Sequence, residues 1–195
     1  MTTIGFVRHG VTSWNKEGRA QGSTDIPLDE DGVEMARQIA DRLSAESWDA
    51  LYTSPWKRTR RTAELIGEKV PELDIVTDER LRERAGGLIE GTTEAERQAK
   101  WGPDWKQLDL QGETHDSVIT RGMSFVRDMQ RLYPDGRVLA VSHGGFIKRL
   151  LSELLPGTSY TEPLGNTSIT IVRIGEDETV CELFNCTEHL QELKL

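Results

Sequence analysis

An α/β fold, a three-layer αβα sandwich on a mostly parallel sheet with an antiparallel C-terminal edge, is what this chain of 195 residues predicts. Three observations carry that expectation. Short apolar runs alternate with amphipathic helical stretches, the pattern of βαβ units whose sheet is covered on both faces. The run "RVLAVS" is apolar without a period of two, as a strand buried on both faces should be. Two β-rich segments, "SITIVRIG" and "VCELFNC", close the chain around the turn-like "EDET" as an antiparallel pair.

Each element follows in order. "IGFV" at residues 4–7 is the first strand. "PLDEDGVEMARQIADRLSA" has apolar residues at Val33, Ala36, Ile39 and Leu43, a helical spacing, with Asp29 as N-cap. "DALYTS" is a second strand. In "SPWKRTRRTAELIGEKV" Ser54 reads as N-cap and Pro55 as the first helical residue, which puts Arg58 in the first turn near the positive helix end. "LDIVTDERL" gives a short strand and a loop. Thr93 and Glu96 then form a capping box for a helix toward Trp101. A longer helix runs from about Thr114 to Tyr133, with Val118, Met123, Val126 and Met129 on one face. After "VLAVS" and "HGG" comes the helix "FIKRLLSELL", stopped by Pro156 and Gly157. No repeat or low-complexity tract interrupts the pattern. The length suits a single domain over residues 1–195, with 84–115 as a short lid.

Composition narrows the function. The net charge of -9 opposes binding to a nucleic-acid backbone. Apolar residues make up 36% and mean hydropathy is -0.52, with no run long enough for a membrane span. "MTTIGFVRHG" lacks the basic-then-apolar order of a secretory signal, so a cytoplasmic location is expected. Cys181 and Cys186 fall on opposite faces if they share a strand, which favours two buried thiols over a bridge.

In an open parallel sheet, ligands bind outside the carboxyl ends of the strands. Arg8 and His9 follow the first strand, Arg58 the second, and His143 follows "VLAVS", so one crevice can hold all four. Two guanidinium forks match phosphate oxygens in a way a lysine does not. Local positive charge of this kind can act against a repulsive overall field.

These residues carry a resemblance. Arg8, His9 and Gly10, with Thr12 and Asn15, match an "RHGxTxWN" signature, and "QGSTDIPLDEDG" follows. "TSPWKRTRRTA", "LRERAGGLIEG", "GET" and "VSHGG" come in the same order as the further motifs of the histidine phosphatase superfamily. The chain resembles that family almost end to end, in its phosphoglycerate-mutase-like branch. Departures are Val11, where Glu is common, and "RAGGLIEG", where an acidic or aromatic residue commonly precedes the first Gly. The resemblance implies that His9 accepts the phosphoryl group and that Arg8, Arg58 and His143 bind it. It further implies that Asn15 assists from its loop and that Glu83 donates the proton. Gln21 and Gly22 align with positions that approach the substrate.

The chemistry these roles require is specific. His9 must attack as neutral imidazole, with one ring nitrogen donating to a backbone carbonyl and the other aimed at phosphorus. Glu83 must protonate the leaving oxygen and then activate water, its acid form favoured by a bound dianion. Two guanidinium groups, with His143 protonated, supply the charge a metal supplies elsewhere, so no metal and no cofactor is expected. Glu90 competes with Glu83 for the acid role, and Arg60 and Arg61 compete with Arg58. His115 and His189 read as solvated surface residues. Trp101 and Trp105 fit the core and the substrate entrance equally well.

The expected function is a phosphatase for small phosphomonoesters. The alternatives are a cofactor-dependent phosphoglycerate mutase and a non-catalytic phosphate-binding module. Such a mutase carries a long insertion between the acid and the second histidine, whereas only 60 positions separate Glu83 from His143 (143 minus 83). A binding module needs neither nucleophile nor acid. Residues 84–115 hold Trp, Leu and Gln more than cations, Arg84 and Lys100 excepted, which favours an apolar or small leaving group. The expected partner is a small phosphorylated metabolite, with no nucleic acid and no membrane. Oligomeric state, a homodimer included, is open.

Overall fold

The computed structural model describes residues 1–157, 160 and 162–190. Among them a six-stranded sheet runs in the order β3-β2-β4-β1-β5-β6. The strands are β1 (Thr2–Arg8), β2 (Ala50–Thr53), β3 (Ile75–Thr77), β4 (Arg137–Ser142), β5 (Ile169–Ile174) and β6 (Thr179–Cys186). β1, β2, β3 and β4 are mutually parallel, while β5 is antiparallel to β1 and β6 to β5. The mostly parallel sheet with its antiparallel C-terminal edge is as expected.

The helices are α1 (Ser13–Lys16), α2 (Glu30–Leu43), α3 (Lys57–Gly67), α4 (Glu94–Trp101), α5 (His115–Leu132) and α6 (Gly144–Leu154). Successive strand residues face opposite sides, so each central strand feeds two cores. On one side Ile4, Phe6, Val138 and Ala140 pack with Phe125 of α5 and Phe146 and Leu150 of α6. On the other, Val7, Leu51, Leu139 and Val141 pack with Ile39 and Leu43 of α2 and Ala63 and Ile66 of α3. Each fully buried side chain of this kind contributes about 1.5–3 kcal/mol of transfer free energy. Two such cores clamp the sheet and hold its carboxyl edge rigid.

Several local expectations are borne out. Asp29 caps α2 through Gly32 N (2.8 Å), and the Thr93–Glu96 box caps α4. Others are corrected. α3 begins at Lys57 with Trp56 as a cap that makes no side-chain bond, so Ser54 is not the N-cap and Pro55 precedes the helix. The physical reason is competition: the Ser54 hydroxyl is engaged by His143, and the Thr59 hydroxyl meets the Ser54 carbonyl instead. α6 starts directly after His143, two residues before "FIK". The short α1, where Thr12 and Asn15 close a capping box, was not foreseen. Cys181 and Cys186 are both free, but only Cys186 is buried, because β6 is an edge strand with an irregular register. Among the described residues no helix is long and apolar enough to cross a membrane.

Candidate active site

Arg8 ends β1 in register with Ser142 of β4, so the next residues, His9 and His143, leave adjacent strands side by side. Their ring centroids lie 5.3 Å apart with the planes at 61°. Arg58 arrives from the first turn of α3, its Nε donating to His143 Nδ1 (3.2 Å). The four residues therefore share one pocket at the carboxyl edge.

His9 is only 3% exposed. Its Nδ1 lies 2.7 Å from Gly10 O, and since a carbonyl can only accept, Nδ1 carries the hydrogen. Nε2 is then the ring nitrogen with a free lone pair. Main-chain bonds from His9 N to Ser142 O (3.0 Å) and from Thr167 N to His9 O (3.2 Å) fix the backbone, and Asn166 Nδ2 adds a donor to the same carbonyl (3.1 Å). Burial first, then the charges of Arg8 and Arg58, hold this imidazole well below its ordinary 6.5, against the bond to Gly10.

His143 is fully buried and lies within 2.8 Å of Ser54 Oγ through Nε2. Because Arg58 donates to its Nδ1, Nε2 must carry the hydrogen that Ser54 accepts. Burial, and then Arg58, push this ring too well below 6.5. The expectation of a protonated His143 is thus corrected: three cationic neighbours, Arg58, Arg8 and Arg121, oppose a further positive charge. Positive charge in the pocket belongs to the two guanidiniums.

Arg58 is 0% exposed and is held by main-chain carbonyls, Nη1 to Thr24 O and Nη2 to Gly22 O, both at 2.8 Å. Burial lowers it to about 10, with Glu83, Asp25 and Glu90 opposing. It remains cationic at neutral pH. Two bonds to carbonyls and one to an imidazole leave part of its five-donor fork for a ligand. Arg8 donates through Nη1 to Leu164 O, and its buried Nε has no protein acceptor. An orphaned buried donor costs about 1–3 kcal/mol, which an anion in the pocket would recover.

Glu83 faces this group. Its Oε1 accepts from Arg84 N (2.8 Å) and its Oε2 from Gly145 N (2.9 Å) at the start of α6. Gly145 leaves room for that approach, since a Cβ there would stand 2.7 Å from Glu83 Oε1 and displace the carboxylate. Glu90 is separated from the acid role by its surroundings. Its carboxylate accepts from Ser23 N, Gly86 N and the Thr24 hydroxyl (2.8, 2.8 and 2.6 Å), and these bonds hold it below the usual carboxylate range despite partial burial. It clamps the loop whose carbonyls hold Arg58.

The remaining sequence candidates sit behind the first four. Asn15 Oδ1 accepts from Thr12 N and from Asn166 Nδ2, both at 3.2 Å. Gln21 Oε1 lies 3.1 Å from the Thr12 hydroxyl. Gly22 contributes its carbonyl to Arg58 and has φ +53, a left-handed conformation that suits glycine. Arg61 pairs with Glu64 and Glu68, and Arg60 is exposed on a groove beside Pro27 and Leu28, so neither competes with Arg58. His115 is exposed, as expected. His189 is not a surface residue: it is half-buried beside Thr167, and burial with the Arg42 charge lowers it to about 4. Trp105 is buried, donates from Nε1 to Glu94 Oε1 (2.9 Å), lies under the Arg97 guanidinium and also walls a groove next to Glu83's segment; Trp101 does not line that groove.

Sequence reasoning missed Ser54, Thr62, Asn166 and the carbonyl of Leu164. Thr62 Oγ1 accepts from Gly10 N (3.2 Å), bracing the turn after His9. A signal existed for three of them. Ser54 follows a parallel strand, and Leu164 and Asn166 precede the antiparallel β5, whose start must lie at the carboxyl end of β1.

The depressed histidines give an expected pH response. His9, His143 and His189 protonate more readily in the unfolded chain, near pH 6.5, than in the fold. Between about pH 6.5 and 4 the unfolded state therefore binds more protons, and stability falls as pH falls. Thermal melts are expected to be flat above about pH 7 and to drop steadily below 6.5. A melting temperature that rises on acidification across that window would contradict the burial of these rings as neutral groups.

A neutral imidazole with a free nitrogen, two guanidiniums and a facing carboxylate make up the apparatus of phosphoryl transfer by a nucleophile and a proton donor. The model of the histidine phosphatase superfamily (branch 1) matches residues 4–187, and the chain belongs to that family. It is 35% identical over 192 residues to the uncharacterized phosphatase PhoE of Bacillus subtilis (strain 168), covering 97% of each. It is also 35% identical over 188 residues to the probable phosphoglycerate mutase GpmB of Cronobacter sakazakii, covering 88% of this chain and 85% of the relative. Among solved structures it is similar to phosphoserine phosphatase from Entamoeba histolytica in complex with 3-phosphoglyceric acid. That likeness has a TM-score of 0.83 and 30% identity, over 98% of this chain and 100% of the other.

Proposed function

We propose that the chain hydrolyses small phosphomonoesters through a phosphohistidine at Nε2 of His9. The observation that carries this reading is the His9 tautomer: Nδ1–H is held by Gly10 O, and the free nitrogen belongs to a ring kept neutral by burial and by both arginines. In the first step the Nε2 lone pair attacks phosphorus and the P–O bond to the leaving group breaks. Glu83 transfers its proton to the departing oxygen. In the second step Glu83, now a carboxylate, takes a proton from water, whose oxygen attacks phosphorus. The N–P bond breaks, its electron pair returns to Nε2, and phosphate leaves.

Arg8 and Arg58 hold the equatorial oxygens, with the Arg8 Nε and the spare fork of Arg58 as donors. His143 is the neutral member of the set: its Nε2–H is given to Ser54 Oγ in this structure and would pass to a phosphoryl oxygen only by exchanging that partner. Asn15, Gln21 and Gly22 position the loop that holds Arg58 and flanks His9. The two fixed cations take the place of a metal. Residues 84–115 form a short cover over the site, a poor shield of phosphohistidine against water, which favours hydrolysis over mutase transfer. The free thiols of Cys181 and Cys186 suit a reducing cytoplasmic setting.

The relative named as a mutase makes one comparison decisive. With 3-phosphoglycerate and a trace of its bisphosphate, inorganic phosphate is expected to accumulate. The appearance of the 2-isomer in its place would establish transfer between substrate oxygens and overturn the hydrolase reading.

A further inference from the structure

Just before β5 the chain adopts a conformation that its residue type disfavours. Thr167 is β-branched and 0% exposed, yet its φ is +53, in the left-handed region. Few β-branched residues sit there, and such strain persists only where the surroundings enforce it, most often at working sites.

Thr167 belongs to the segment that cradles the nucleophile. Its N–H donates to His9 O (3.2 Å), Asn166 Nδ2 donates to the same carbonyl (3.1 Å), and Ser168 O accepts from Arg8 N (3.1 Å). His9 O and Gly10 N lie in one planar peptide unit, whose other side is held by Thr62 Oγ1 (3.2 Å). The next carbonyl, Gly10 O, accepts from Nδ1 of the His9 ring (2.7 Å). A tilt of that peptide unit would turn the imidazole and swing Nε2 out of line.

The cradle is in turn held from β6 and the turn that follows it. Asn185 Oδ1 accepts from Gly165 N (2.8 Å). A turn at residues 187–190, closed by Leu190 N to Thr187 O (2.9 Å), brings His189 Nε2 to 3.3 Å from Thr167 Oγ1. Gly165 leaves room for this packing, since a Cβ there would stand 2.9 Å from Thr187 Cγ2. Burial, and then Arg42, lower the His189 ring to about 4, against its bond to Thr167, so it is neutral at neutral pH. Its Nδ1 is buried without a partner, which leaves Thr167 as the ring's hydrogen-bond partner among the described residues. An apolar side chain would fill the space without burying an unpaired nitrogen, so packing alone does not account for a histidine here.

Resting on the phosphatase reading, we infer that His189 is a positioning residue for the nucleophile: through Thr167 it holds the left-handed turn that fixes the His9 carbonyl, and so aims the His9 ring. It touches no reacting atom.

The test separates aim from binding. His189→Ala and Thr167→Val are each expected to lower kcat by roughly 10- to 100-fold, alike for alkyl and 4-nitrophenyl esters. The inhibition constant of inorganic phosphate, set by Arg8 and Arg58, is expected to stay within about threefold of the wild type. His189→Gln, which keeps an N–H near the place of Nε2, should restore part of the rate. The double variant should be no slower than either single one, because both remove the same contact. Unchanged kcat in both single variants, additive losses in the double variant, or phosphate binding weakened as much as kcat would each overturn the inference. If His189→Ala does not fold, Thr167→Val and His189→Gln decide between these outcomes. If the wild type hydrolyses none of the esters, the hydrolase reading fails alone, and the aim of His9 is read without turnover. NMR of protein with isotope-labelled histidines should then show the His9 ring signals displaced in Thr167→Val, and signals left in place would overturn the inference.

Discussion

His9→Ala is expected to reduce turnover of every phosphomonoester by roughly ten-thousand-fold or more, and to abolish acid-labile labelling by phosphate. The size follows from the role: no other side chain in the pocket offers a neutral nitrogen with an uncommitted lone pair. Both nitrogens of His143 are engaged, Nδ1 by Arg58 and Nε2 by Ser54. The variant should fold, because the bonds that fix residue 9 run through its main chain to Ser142 and Thr167. Removing a buried ring from beside two guanidiniums should also flatten the acid limb of the stability profile, since one depressed titration disappears. Turnover within tenfold of the wild type in folded protein would remove His9 from the nucleophile's role.

Glu83→Gln is expected to slow hydrolysis of alkyl phosphates by roughly 100- to 10,000-fold while slowing 4-nitrophenyl phosphate far less. An alkoxide is a poor leaving group and needs the proton in the transition state; nitrophenolate leaves without it. Geometry adds a stability effect. Two backbone N–H groups point at the two carboxylate oxygens, and an amide offers one oxygen and one NH₂, so one backbone donor would face another donor. A cost of about 1–3 kcal/mol is expected from that mismatch, visible as a lower melting temperature. The two effects separate cleanly, because loss of stability slows both esters alike and loss of the proton donor does not. Equal slowing of alkyl and aryl esters would take Glu83 out of the acid role.

Glu90 shows why a side chain's type is an incomplete guide. In sequence it and Glu83 are two acids in one motif. In space Glu90 is saturated by donors from Ser23, Thr24 and Gly86, and is committed to holding the loop around Arg58. Ser54 illustrates the same point from the other direction. Its place before Pro55 suggests a helix cap, yet its hydroxyl partners His143, which arrives from another strand. Local propensity loses there to a long-range contact with a buried imidazole.

The sequence by itself determined the strand and helix order, the antiparallel C-terminal edge, and the meeting of Arg8, His9, Arg58 and His143. Those depend on periodicity, and on the rule that loops at the carboxyl ends of parallel strands share one crevice, both of which are written in the spacing of residues along the chain. Only the tertiary structure decided the tautomer of His9, the neutral state of His143 and the satisfied state of Glu90. Each of these depends on which groups from distant segments exclude water from one another, and a charge or a proton responds to those neighbours rather than to its own position in the chain.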